Sequence, residues 1–151
     1  MILCVTLNPC LDKTLTVPSW SVGDSVRGVA IREVVGGKGN NVARALTRLG
    51  RSARPVFFIG GSVGSTCCSL LRQEDGLDPI VIKTAAPTRV ILTVLTEGTT
   101  DQTAFFDPDP AILPHEAENL LNRVRRKLDR PDVEAVTLSG SSPAAATHRP
   151  Y

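Results

Sequence analysis

Gly36-Gly37-Lys38-Gly39-Asn40-Asn41-Val42-Ala43-Arg44-Ala45-Leu46-Thr47-Arg48-Leu49-Gly50 splits into two parts with different physical tasks. In the second part Val42, Ala45, Leu46 and Leu49 recur at i, i+3, i+4 and i+7, which is one apolar face of a helix closed by Gly50. The first part is a glycine cluster at the start of that helix. Glycine lets backbone approach a ligand closely, the unpaired N–H groups of a helix start favour an anion, and Lys38 adds a mobile cation. An ordinary P-loop is excluded, because Gly39 follows Lys38 where Ser or Thr is required and Arg32 stands at the upstream glycine position.

Ahead of this stretch, Ile2 to Leu7 is an apolar run stopped by the turn pair Asn8-Pro9, as expected of a buried strand opening into a ligand-bearing loop. Thr14 to Val17 and Val26 to Val35 alternate around Gly23-Asp24 and read as two half-exposed strands. Beyond it, Pro55 to Ile59 reads as a buried strand, Gly60 to Gly64 as a loop and Thr66 to Glu74 as a helix ended by Asp75-Gly76. The Gly60-Gly61-x-x-Gly64 loop nearly fits a dinucleotide fingerprint, but Ile59 replaces its first glycine, so a tight turn is favoured. Arg89 to Thr96 and Gln102 to Phe106 form a hairpin about Glu97-Gly98. Pro114 to Leu128 carries a helical stripe, and Val133 to Leu138 is a further buried strand leading to Ser139-Gly140-Ser141. Strands alternating with helices imply a mainly parallel sheet with helices on its faces. The tail from Ser142 shows no pattern.

Composition narrows the function. With 42% hydrophobic and 21% charged residues the chain is ordinary globular material for one domain. The net charge of +2 is spread out, and the cluster Arg123, Arg125, Arg126 and Lys127 lacks interleaved aromatics, so it reads as a solvated helix face and no nucleic-acid partner is expected. The apolar start of seven residues, Met1 to Leu7, has no basic region before it, so neither a signal peptide nor a membrane span is expected, and the location is read as cytoplasmic. Cys4, Cys10, Cys67 and Cys68 fit neither a zinc spacing nor a redox pair and read as free thiols.

Thr6-Leu7-Asn8-Pro9-x-Leu11-Asp12, followed by the stretch from Gly36 to Gly50, resembles the ribokinase-like carbohydrate kinases of the PfkB type. The opening Thr-Leu-Asn-Pro and the string Asn-Val-Ala-Arg-Ala-Leu are similar to the branch acting on phosphorylated hexoses: 1-phosphofructokinase, the minor 6-phosphofructokinase and tagatose-6-phosphate kinase. Thr88-Arg89, Glu97-Gly98-Thr99-Thr100 and Leu138-Ser139-Gly140-Ser141-x-Pro143 continue the match along the whole chain.

The resemblance implies a three-layer α/β ribokinase-like fold, incomplete here, with a mainly parallel sheet and a small β lid from segments about 13–35 and 88–107. Residues 1–151 would be the N-terminal part of a single kinase domain. The implied activity is ATP-dependent phosphorylation of a phosphorylated ketohexose, foremost fructose 1-phosphate at O6, with Mg²⁺ on the ATP phosphates and a second copy paired through the lid. Among site residues, Asp12 would accept sugar hydroxyls, and Gly37 and Asn41 would contact the sugar by backbone and amide. Lys38, Arg89 and Ser139 would hold the phosphate already on the sugar, and Arg27 would reach a neighbouring subunit's sugar phosphate.

Two departures stand out. Relatives carry Asn-Glu-Pro-Gly-Pro after the lid hairpin where this chain has Phe106-Asp107-Pro108-Asp109-Pro110. The family's second signature, a Gly-Ala-Gly-Asp-like turn that supplies the base and the oxyanion amides, is not in the sequence; Val22-Gly23-Asp24 holds its only Gly-Asp pair, and His115 and His148 offer no substitute. The C-terminal, ATP-binding half is therefore expected to be absent and the chain inactive by itself. A non-catalytic sugar-phosphate-binding or lid-dimerising module and a truncated inactive product are the alternatives.

Overall fold

The computed structural model describes residues 1–143, so the patternless end of the tail and His148 lie outside the described residues. In chain order the elements are β1 (Ile2–Thr6), β2 (Cys10–Val17), β3 (Ala30–Gly36), α1 (Lys38–Arg48), β4 (Ala53–Ile59), α2 (Gly61–Glu74), β5 (Ile80–Lys83), β6 (Arg89–Thr96), β7 (Gln102–Phe106), α3 (Pro114–Leu128) and β8 (Ala135–Leu138).

The first sheet has the order β5-β4-β1-β8 and all its pairings are parallel. Its strands are apolar on both faces because both are covered. Leu3 and Val5 of β1, Val56 and Phe58 of β4, and Ile80 and Ile82 of β5 point to one side and pack with Leu120, Ala117 and Val124 of α3. The alternate residues Cys4, Phe57 and Val81 point to the other side and meet Ala43 and Leu46 of α1 and Cys67 and Leu71 of α2. This alternation makes the molecule a three-layer α/β structure. Leu3, Val56, Phe57 and Leu71 have no exposed surface, and each stabilises the fold by about 1.5–3 kcal/mol.

The second sheet, β3-β2-β6-β7, pairs β2 with β3 antiparallel, β2 with β6 parallel and β6 with β7 antiparallel. Its root is anchored where Leu11, Val35 and Val90 enter the core shared with α1 and α2. Its far part stands out from the body: all of β7 is exposed, as are Ile31 and Phe105.

Several boundaries differ from the sequence reading. β2 starts at Cys10, four residues before Thr14, because the turn needs only Asn8 and Pro9 and the strand pairs with Gly36 and Arg89 at once. β3 starts at Ala30 and not at Val26. Gly60 to Gly64 is not a loop: α2 begins at Gly61, and Gly64 N–H donates to Gly60 O at 3.2 Å. The glycines there serve packing, since a Cβ at Gly60 would lie 1.9 Å from Ala86 O and one at Gly64 would lie 2.9 Å from Thr88 Oγ1. β5 was not legible as an element. Its run Ile80-Val81-Ile82 is very short, and the neighbouring β4 and the side chains of α3 fix it as a strand.

Candidate functional site

The glycine cluster sits where it does because α1 starts directly above the C-terminal end of β1. A Cβ at Gly39 would fall 2.4 Å from Thr6 Oγ1 and 2.5 Å from Val5 O, so only glycine allows the helix so close. Gly37 has φ +106, a region that L side chains rarely adopt, and turns the chain from β3 into the helix. Fully buried Asn40 holds this turn by donating from Nδ2 to Gly36 O at 2.7 Å. Arg44 ties the next turn: Nη1 donates to Val35 O at 2.8 Å and to Asn41 Oδ1 at 2.9 Å, and Nε donates to Asp75 Oδ2 at 2.8 Å. Asn41 is thereby oriented, and Gly37 and Lys38 at the start of α1 border the same space.

That space is a cleft of about 290 Å³ between the two sheets. It brings together five sequence-predicted residues, Asp12, Gly37, Lys38, Asn41 and Arg89. The register explains why. Asp12 lies opposite Val34 and Ile91, and Ile91 lies opposite Phe106, so this row gives the cleft a carboxylate beside an apolar wall of Ile91 and Phe106. Cys10 pairs with both Gly36 and Arg89. A Cβ at Gly36 would lie 2.4 Å from both Asp12 Oδ2 and Cys10 Sγ, so this glycine makes room for the carboxylate. Cys10 Sγ donates to Asp12 Oδ1 at 3.3 Å. Burial, with the Asp12 charge next to it, pushes the Cys10 thiol up to about 12, so it stays a neutral donor.

Arg89 is mostly buried. Its Nη1 pairs with Asp109 Oδ1 at 3.1 Å, its Nη2 donates to Asn8 O at 3.5 Å, and its Nε has no partner. Asn8 donates from Nδ2 to Asp109 Oδ1 at 2.8 Å and to Ser141 Oγ at 3.5 Å, while its Oδ1 is unpartnered. Thr6 Oγ1 is a third buried polar atom at the cleft without a partner. Such atoms are costly to bury unmatched. Lys38 is exposed and has no ion-pair partner among the described residues.

Two candidates stand apart. Arg27 is exposed on the connection between β2 and β3 and does not line the cleft. Ser139 N–H donates to Val5 O at 3.2 Å, continuing the pairing of β8 with β1, and the next residues, Gly140 and Ser141, line the cleft instead. Thr6, Asn8, Cys10, Ile91 and Phe106 line it without having been assigned a role from sequence, and Asp109 reaches Arg89 through a connection whose course the sequence does not reveal. Among the described residues no group of three or more His, Cys, Asp or Glu could hold a metal ion.

Solved structures with this architecture include phosphofructokinases. Phosphofructokinase-2 from Escherichia coli in complex with fructose-6-phosphate superposes with a TM-score of 0.84 at 30% identity, covering 96% of this chain and 46% of that one. A possible 1-phosphofructokinase from Thermotoga maritima gives 0.82 at 29% identity, covering 94% and 45%. The profile of the pfkB family carbohydrate kinases matches residues 5–145, and the chain belongs to that family. It spans about half the length of the structures it matches, as an N-terminal half of such a kinase does.

Proposed function

We propose that this chain recognises the phosphosugar in a phosphofructokinase-like kinase, with fructose 1-phosphate as its first-choice ligand. The observation that carries this is the meeting of Asp12, Lys38, Asn41 and Arg89 at one cleft where Thr6 Oγ1, Asn8 Oδ1 and Arg89 Nε lack partners. Asp12 accepts sugar hydroxyls beside the Cys10 thiol, Asn41 and the Gly37 backbone take further hydroxyls, and Ile91 and Phe106 cover the apolar face of the sugar. Lys38, Arg89 and the start of α1 draw the phosphate, with Arg89 able to offer a planar fork. Ser139 approaches the phosphate through the backbone next to Gly140, and Arg27 serves a neighbouring subunit's site.

The second sheet, with its segments about 13–35 and 88–107, is the lid in this reading, and its exposed Ile31 and Phe105 meet the lid of a second copy. A cytoplasmic location is part of the proposal. No helix among the described residues is long and apolar enough to cross a membrane. ATP and Mg²⁺ belong to the complete enzyme. The residues present do not form a site for either, because no acidic cluster stands together among those described and the Gly-Ala-Gly-Asp-like turn is not in the sequence. By itself the chain binds the phosphosugar and does not phosphorylate it.

Isothermal titration tests this. Fructose 1-phosphate should bind, and Arg89→Ala should weaken it by about 1.5–3 kcal/mol, the scale of hydrogen bonds to a charged group, while unphosphorylated fructose is affected far less. Equal losses for both sugars would make Arg89 a structural residue and refute the assignment.

A further inference from the structure

The geometry points to Asp109 as a specificity-determining residue of this cleft, an internal anion on Arg89 that a phosphorylated ligand must displace. This inference rests on the phosphosugar reading above and adds a residue to it. The connection from β7 to α3 is held at both ends: Val90 N–H donates to Asp107 Oδ2 at 2.8 Å, and Leu113 N–H donates to Glu116 Oε2 at 2.7 Å. Between these anchors Pro108 and Pro110 fix φ on either side of Asp109, whose carboxylate reaches Arg89 and Asn8 in the wall of the cleft from behind their lining surface. Its Oδ1 takes Arg89 Nη1 at 3.1 Å and Asn8 Nδ2 at 2.8 Å, the two donors that an anion in this corner would use.

The occupancy is partial. Asp109 engages one nitrogen of the guanidinium, leaving Arg89 Nε unpartnered, and its own side chain is 38% exposed against 13% for Arg89. A phosphate offers three oxygens to the fork and can satisfy Nε as well as Nη1, so exchange is chemically open. Both anions cannot keep Nη1 together, because two like charges that close repel in a part-buried site. Asp109 therefore lowers affinity for ligands that bring a phosphate to Arg89 and leaves unphosphorylated sugar almost untouched. By competition it narrows the preference of the site for phosphorylated over unphosphorylated sugar.

The test compares the unmodified chain with Asp109→Asn, which is nearly isosteric, and Asp109→Ala, each first checked for an unchanged thermal melt. Titrations use fructose 1-phosphate, fructose and inorganic phosphate. The expected result is that both variants bind fructose 1-phosphate about tenfold tighter, gain affinity for inorganic phosphate, and bind fructose within about twofold of the unmodified chain. Unchanged or weaker fructose 1-phosphate binding in both variants would overturn the inference, weaker binding meaning that Asp109 positions Arg89 for its ligand. Gained inorganic phosphate binding with no sugar affinity in any form would sustain the role of Asp109 and sink the phosphosugar reading. Equal phosphosugar affinity in all forms would do the reverse, and no binding to any form would sink both.

Discussion

Replacing Gly39 by alanine should unfold the site from beneath. The added methyl would lie 2.4 Å from Thr6 Oγ1, 2.5 Å from Val5 O and 2.8 Å from Val5 C, against ordinary contact of 3.4–4 Å. Thr6 can rotate its hydroxyl, but Val5 cannot retreat. It belongs to β1, which is paired on one side with β4 and on the other with β8. Helix α1 must therefore lift by about an ångström, which loosens Ala43 in the core and strains the 2.7 Å bond from Asn40 to Gly36. Overpacking of this kind costs about 1–3 kcal/mol and more where backbone is the obstacle. With a urea slope of about 2 kcal/mol/M, the unfolding midpoint should fall by roughly 0.5–1.5 M. Gly50→Ala is the control. Nothing lies within 4 Å of its missing Cβ, but its φ is +74, so it isolates backbone strain of about 1 kcal/mol. If Gly39→Ala cost no more than Gly50→Ala, α1 would not be seated on β1 as described and the steric argument for the glycine cluster would fail.

Other perturbations test separate parts of the fold. Glu116 is buried and accepts Ala85 N–H and Leu113 N–H at 2.7 Å each; Glu116→Ala should lower stability by about 2–4 kcal/mol in urea melts, with Glu116→Gln recovering part. Burial raises both the Cys10 and Cys67 thiols from 9.0 to about 12, so their contribution to stability is complete below pH 9 and is lost as pH climbs toward 12, at roughly 1.4 kcal/mol for each unit of difference. Melts between pH 8 and 11, together with slow alkylation of these thiols at pH 8 until urea is added, would check this, and a flat alkaline profile would contradict it. Because β7 is exposed throughout and presents Phe105 at an edge, the chain should associate as concentration rises, and Phe105→Lys should reduce the mass seen by light scattering. A monodisperse monomer at all concentrations would count against a lid-mediated dimer.

Much of this was legible because the deciding signals are local. The stripe from Val42 to Leu49 and the alternation in Arg89 to Thr96 depend on neighbours a few residues away, and both elements appear where those patterns end. The cleft residues were legible for a different reason: the strings around Asp12, Gly37 to Asn41 and Arg89 carry a family resemblance, and sheet register then brings them together. What stayed hidden depends on distant partners. β5 is a strand because β4 and α3 bury Ile80 and Ile82, and Arg44 braces Asn41 through Asp75, thirty-one positions later in the chain. The pairing of Arg89 with Asp109 depends on how a proline-flanked connection folds back, which no periodicity records.

The parallel pairing of β2 with β6 joins Cys10 to Arg89, 79 positions apart, and α1, β4, α2 and β5 all lie in the chain between them. Such a contact of high sequence separation slows folding more than it costs in stability, since loop-closure entropy grows only with the logarithm of length. The placement of Asp12 beside Arg89 therefore depends on every strand and helix that the chain lays down between them, and a disturbance of those layers is expected to reach the cleft.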